Sequence, residues 1–143
     1  MFRVAVLERS SPELPYFTDE VIEMSCNVDD ETAERMAWIA EQLLEQGALE
    51  VWQTPVTAKK SRAAVVLSVL GRTSDFQKLA HWLIQNSTTF GLRYRKWDRL
   101  KLEPKFEERI TASGAKVTFK QGLDCNGRVV KEKPEFDSVK KSW

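Results

Sequence analysis

Asn27-Val28-Asp29-Asp30 closes an apolar run, and about thirty residues later Lys59-Lys60-Ser61-Arg62 stands between two more. A hard divalent cation takes carboxylate and amide oxygens, whereas phosphate oxygens take ammonium groups as point charges and guanidinium groups as planar forks. Oxygen donors at one strand end and clustered cations at another are the parts a metal-bound polyphosphate requires, so the two clusters read together as one nucleotide site. Plainer accounts fit the same residues. Carboxylates just before a helix stabilise its start by capping and by the dipole, roughly 0.3–1 kcal/mol, and a run of lysines is commonly a solvated turn.

The elements that must position these groups are legible in the periodicity. Residues 20–27 read as a strand that delivers Asn27 and Asp29 to a sheet edge. A helix over 33–46 follows, with Met36, Ile39, Ala40 and Leu43 on one face, Thr32 as N-cap and Gly47 as the left-handed terminator. Residues 48–57 form a strand despite Pro55, and 63–70, apolar on both sides, suits a central strand. Ser74 and Gln77 form a capping box opening a helix over 75–86. In the next segment Leu92, Tyr94, Leu100 and Leu102 share one parity and predict a core face, while Arg93, Arg95, Trp97, Arg99 and Lys101 form a basic ladder on the other. Segments 106–110 and 116–120 read as a hairpin around Ser113-Gly114, with Asn126-Gly127 as a further turn. A strand at 2–7 and a Ser/Pro-rich connector at 10–15 precede all of these.

Strand, helix, strand, strand, helix, strand is the split βαβ, α+β ferredoxin-like order, two helices on one face of an antiparallel sheet with extra strands. The expected organisation is a strand and connector over 1–17, a ferredoxin-like domain over 18–132 and the start of a truncated helix over 133–143. Because the 63–70 strand is apolar on both sides, something must cover the face opposite the helices, either extra strands from the chain ends or a second subunit, and a homo-oligomer, a trimer or hexamer, is the favoured cover.

Composition removes several function classes. Lys+Arg 22 against Asp+Glu 21 gives a net charge of +1 over 143 residues, so no global field draws the chain to nucleic acid or to a membrane. A single-stranded nucleic-acid platform could still use Trp52, Trp97 and the basic ladder, although long basic side chains on a strand are often only edge protection. His81 is the single histidine and is expected on a helix surface, which disfavours a charge-relay triad or a multi-histidine centre. Cys26 reads as a small buried hydrophobe, and two cysteines with no secretory opening point to a reducing cytoplasm. No Walker loop or dinucleotide fingerprint is present, so a nucleotide would be held by side chains at strand ends.

Five ordered blocks carry a family resemblance: residues 23–30, residues 44–51 with Thr54-Pro55, residues 59–62, Ser87-Thr-Thr-Phe-Gly-Leu-Arg93, and Lys133-Pro-Glu-Phe-Asp137. Together they resemble the carboxy-terminal domain of the LarC family, nickel insertases that complete the nickel-pincer nucleotide cofactor of lactate racemase. The resemblance implies a CTP-dependent cyclometallase. It would bind CTP with magnesium or manganese, split it to CMP and pyrophosphate, and place nickel in a pyridinium bis-thiocarboxylate mononucleotide. Carried over by position, Asn27, Asp29 and Asp30 would lie at the metal and triphosphate, Lys59, Lys60 and Arg62 would neutralise phosphate charge, and Thr88, Thr89 and Arg93 would add hydroxyl and guanidinium donors. Ala63-Ala64 depart from the Pro-Gly that usually follows the family's Lys-Lys-Asn-Arg. The larger amino-terminal portion of the family is not matched, which fits a domain fragment or a short stand-alone relative. A nucleotide sensor without turnover is the rival reading. No residue identifies itself as catalytic or as a nickel ligand, since nickel prefers softer or imidazole donors.

Overall fold

Along the first strand, β1 (Phe17–Val28), Ile22, Met24, Cys26 and Val28 are buried while Glu23, Ser25 and Asn27 between them are half-buried or exposed. That two-residue period gives the strand a core face and an open face. The computed structural model describes residues 14–111 and 114–140. The expected strand at 2–7, most of the connector, Ser113 of the expected turn and residues 141–143 lie outside them.

After β1 come α1 (Ala33–Glu45), β2 (Glu50–Ala58), β3 (Arg62–Arg72), α2 (Phe76–Asn86) and β4 (Arg93–Lys101), and the sheet order is β2-β3-β1-β4. β3 pairs antiparallel with both β1 and β2, so β1 and β2 run the same way with β3 between them. This is the split βαβ topology, and it makes 62–72 the expected central strand. Thr32 caps α1 by accepting from the Arg35 backbone N–H, and Gly47 takes φ +102° just past the helix end. Met36, Ile39 and Leu43 of α1 and Leu79 and Leu83 of α2 pack on Met24, Cys26, Val28, Leu67 and Val69. Gly71 permits the close approach of α2, since a Cβ there would meet Leu79 Cδ1 at 2.8 Å.

Two local expectations are corrected. A single 3₁₀ turn, Thr73–Asp75, leads into α2, and Asp75 at its N-cap is already helical with no side-chain cap bond, so the Ser74/Gln77 capping box does not form. Asp75 pairs with Arg72 instead, at 3.5 Å. Along β4 only Leu92, just before the strand, packs against the core. Tyr94 and Leu100 are exposed on this edge strand, although the Tyr94 ring still meets Phe76 of α2 with centroids 4.5 Å apart.

The chain divides into two compact units, and the division differs from the expected domain over 18–132. Asp19–Arg99 form the ferredoxin-like unit; the described residues up to Thr18 and from Leu100 onward form the other. The reason is hydrogen bonding: β5 (Glu103–Ile110), β6 (Lys116–Leu123) and β7 (Val129–Pro134) make a separate three-stranded antiparallel sheet. The short α3 (Phe136–Lys140) is tied to β6, the Ser138 hydroxyl accepting from the Thr118 N–H at 2.7 Å. Arg109 makes a bidentate pair with Glu132 at 2.7 Å, a further bond to Glu107, and stacks on Phe119 at 4.6 Å. Among the described residues no helix is long and apolar enough to cross a membrane.

Candidate functional site

One end of the four-stranded sheet gathers the candidate residues because of its topology. β1 and β2 both finish there, β3 begins there, and the α2–β4 loop returns there. Asn27 is the penultimate residue of β1 and Asp29 and Asp30 follow it. The β2–β3 hairpin closes on the Ala58–Arg62 pair, which leaves Lys59, Lys60 and Ser61 as its tip. Lys60 (φ 61°) and Ser61 (φ 56°) are both left-handed, a conformation that costs a non-glycine residue roughly 1–2 kcal/mol.

Each oxygen donor of the first cluster is met by a donor from another element. Arg93 Nη1 donates to Asn27 Oδ1 at 2.8 Å, Arg62 Nη1 to Asp29 Oδ2 at 3.2 Å, and the Thr88 hydroxyl to Asp30 Oδ1 at 2.5 Å. Six of the expected residues are thereby tied into three pairs at one sheet edge. Thr89 is a neighbour but turns its hydroxyl to the Gly91 carbonyl at 2.7 Å. Lys59 and Lys60 are exposed and contact none of the others. Among the described residues no three His, Cys, Asp or Glu side chains group as a metal site. Asp29 and Asp30 alone do not make a cation cage built by protein.

Beneath this edge Cys26 is 1% exposed. Burial pushes its thiol up from the ordinary value, and the Thr89 hydroxyl and the Arg93 charge draw it back only in part. It is a packed core thiol, as its strand position predicts. His81 is on the exposed side of α2.

From Arg93 the open face carries a cavity of about 280 Å³ lined by Glu23, Ser25, Arg93, Tyr94, Arg95 and Trp97. The Arg95 guanidinium lies 5.0 Å from the Trp97 ring centroid. Arg93, Arg95 and Trp97 belong to the ladder whose parity placed them together. Glu23 and Ser25 lie within the first resemblance block with no role assigned to them, yet they alternate with the buried Met24 and Cys26, and that period puts them on Asn27's face. Arg99 plays another part, a bidentate pair with Asp19 at 2.8 and 2.9 Å. A cavity of about 530 Å³ in the other unit is lined by none of the expected site residues.

Comparison with known proteins bears on the same chain. The solved structure of LarC2, the C-terminal domain of a cyclometallase involved in synthesis of the NPN cofactor of lactate racemase, matches 87% of this chain and 85% of its own, with 33% identity and a TM-score of 0.78. A protein from Methanopyrus kandleri shares the fold at a TM-score of 0.69 and 21% identity over 87% of this chain and 78% of its own. The pyridinium-3,5-bisthiocarboxylic acid mononucleotide nickel insertion protein of Staphylococcus saprophyticus is 32% identical over 85% of this chain and 31% of its own length. Its counterpart in Lactiplantibacillus plantarum is 35% identical over 82% and 27%. The chain thus spans about a third of the length of these curated relatives. The family model described as nickel insertion protein matches residues 1–142, and the chain belongs to that family.

Proposed function

We propose that the Asn27–Asp30 edge binds CTP together with magnesium or manganese, and that the chain serves a protein that inserts nickel into pyridinium-3,5-bisthiocarboxylic acid mononucleotide while CTP is split to CMP and pyrophosphate. The supporting observation is the three-way pairing of Asn27, Asp29 and Asp30 with Arg93, Arg62 and Thr88, beside two lysines with no partner among the described residues. Arg62 and Arg93 are oriented before any ligand arrives, which lowers the cost of ordering them. Lys59 and Lys60 add point charges able to swing onto phosphate oxygens and to stabilise charge on departing pyrophosphate. Asp29 and Asp30 each keep an oxygen for a divalent ion, which would neutralise phosphate charge when bound. Nickel is a substrate in this reading, and no ligand for it is assigned here.

A homo-oligomer in the cytoplasm belongs to the same proposal. Trp52, Val66 and Leu70 on the open face are half-buried or exposed apolar side chains that a second copy would cover. Light scattering on the purified chain would test this, and a monomeric mass would count against it.

Thermal denaturation with each nucleoside triphosphate, with and without manganese, tests the central claim. A ligand at a hundred times its Kd adds about 2.7 kcal/mol, so CTP with manganese should raise Tm by several degrees. Asp29→Ala should remove the manganese-dependent part of that rise while shifting the ligand-free Tm little, since an exposed ion pair such as Asp29–Arg62 contributes about 1 kcal/mol at most. Equal and negligible shifts with every nucleotide would discard the reading.

A further inference from the structure

Cations and carboxylates are segregated across the β5–β7 sheet. Lys120 of β6 is directly opposite Lys133 of β7, and Lys131 shares the face of Lys133 because strand side chains alternate, so the three ammonium groups stand on one face. Glu132, between the two β7 lysines in sequence, turns to the other face, where Arg109 and Gln121 hold its carboxylate. Like charges directly opposite on neighbouring strands destabilise a sheet. Protection of an open edge explains lysines on β7, but β6 is the central strand and has no edge to protect. Among the described residues Lys131 and Lys133 have no ionic partner, and Lys120 has only Glu135, at 3.9 Å, besides the Phe106 ring 5.6 Å from its Nζ.

These lysines surround the cavity of about 530 Å³, whose floor is made by Leu102, Pro104 and Gly122. The glycine makes the space. Pro104 and Lys131 are its register partners on either side, so the side-chain layer of this face has a gap at its centre. Leu102 closes the bottom of that gap, since a Cβ at position 122 would meet Leu102 Cδ1 at 2.8 Å. The volume is within the range of small-molecule sites, roughly 300–1,000 Å³. Ammonium groups act as point charges without the planar fork of arginine, so they accept carboxylate, thiocarboxylate or phosphate oxygens alike. The floor is more selective, because an inorganic anion has no apolar surface to bury on Leu102 and Pro104.

We propose that this cavity binds a flat organic polyanion, an aromatic ring bearing two or more carboxylate-type groups, with the ring on the Leu102, Pro104 and Gly122 floor and the anionic groups on Lys120, Lys131 and Lys133. The substrate proposed above is one such molecule, a pyridinium ring with two thiocarboxylate groups and a phosphate, and its assignment to this cavity rests on the nickel-insertion reading.

An NMR titration of the full 143-residue chain with pyridine-3,5-dicarboxylate tests the site without CTP. Saturable amide shifts are expected at Leu102, Gly122, Lys131 and Lys133, and none at the Asn27–Asp30 edge. Inorganic phosphate and uncharged pyridine should each bind at least about tenfold more weakly, since the one lacks the apolar contact and the other the charge. Lys133→Gln should weaken the dicarboxylate by about tenfold, the scale of one charged contact. Its ligand-free Tm should stay level or rise, because repulsion from Lys120 is relieved; a lysine needed only by the fold would lower it. A dicarboxylate that moves none of these amides at millimolar concentration, phosphate that binds as tightly, or a Lys133→Gln variant of unchanged affinity or lowered Tm overturns the proposal and leaves the nucleotide reading standing. Dicarboxylate binding in a chain that gives no response to CTP upholds the cavity and discards the nucleotide reading alone.

Discussion

Cys26 and Asn27 are adjacent in sequence and have opposite fates, because a strand sends successive side chains to opposite faces. Asn27 points to the open face and accepts from Arg93, while Cys26 sinks among Met24, Leu67 and the helices. Burial disfavours the thiolate, the reactive form. Cys125, by contrast, is exposed and free. A thiol reagent at neutral pH should therefore modify one cysteine in the native chain and two after denaturation. Rapid native modification of Cys26, located by peptide mass mapping, would contradict the packing described here.

At the scale of elements, the β2–β3 hairpin is the most informative. Its register with β3 is continuous from Glu50 to Ala58, so the three-residue tip has to reverse the chain with Lys60 and Ser61 both left-handed. No glycine relieves it. Backbone strain concentrated in a cation-bearing turn beside the acidic cluster is the pattern expected of a functional loop. Ser61→Gly should raise stability by up to about 1.5 kcal/mol, the left-handed strain of roughly 1–2 kcal/mol less glycine's extra chain entropy of roughly 0.5–1 kcal/mol. Denaturant titration would measure it. A loss of stability would mean that the Ser61 side chain contributes more than the strain removes.

At the scale of the whole molecule, two units with different kinds of stabilisation share one chain. The ferredoxin-like unit rests on an apolar layer between sheet and helices. The β5–β7 unit leans on the Arg109–Glu132–Glu107 cluster, with Gln121 bridging the two carboxylates. Arg109 first, and Gln121 second, hold the Glu132 carboxyl below its ordinary 4.5. A carboxyl depressed on folding contributes stability that is present above its unfolded value and lost as pH falls through the folded one. Protection of the β5–β7 amides, taken relative to the unfolded-chain exchange rate at each pH, should therefore fall as the pH drops below the ordinary 4.5 of Glu132, and Glu132→Gln should flatten that dependence. Unaltered pH dependence in the variant would show that the cluster does not govern the acid response of this unit.

Helix α1 with both its caps, the central β3 and the split βαβ order were legible in the sequence, because each depends on local periodicity and on turn chemistry within a few residues. The acidic and basic clusters were legible as chemistry too. Their pairing partners were not: which oxygen meets Arg62, Thr88 or Arg93 depends on strand order and register, which bring together residues between 33 and 66 positions apart. The exposed Leu100 and the separate three-stranded sheet have the same origin. Each is decided by which strand lies at an edge and which hydrogen bonds are made across the sheet, and no local pattern encodes those choices. Alternation along β1 assigned Glu23 and Ser25 to a face; only the neighbouring strand turned that face into a cavity with Trp97 on its far wall.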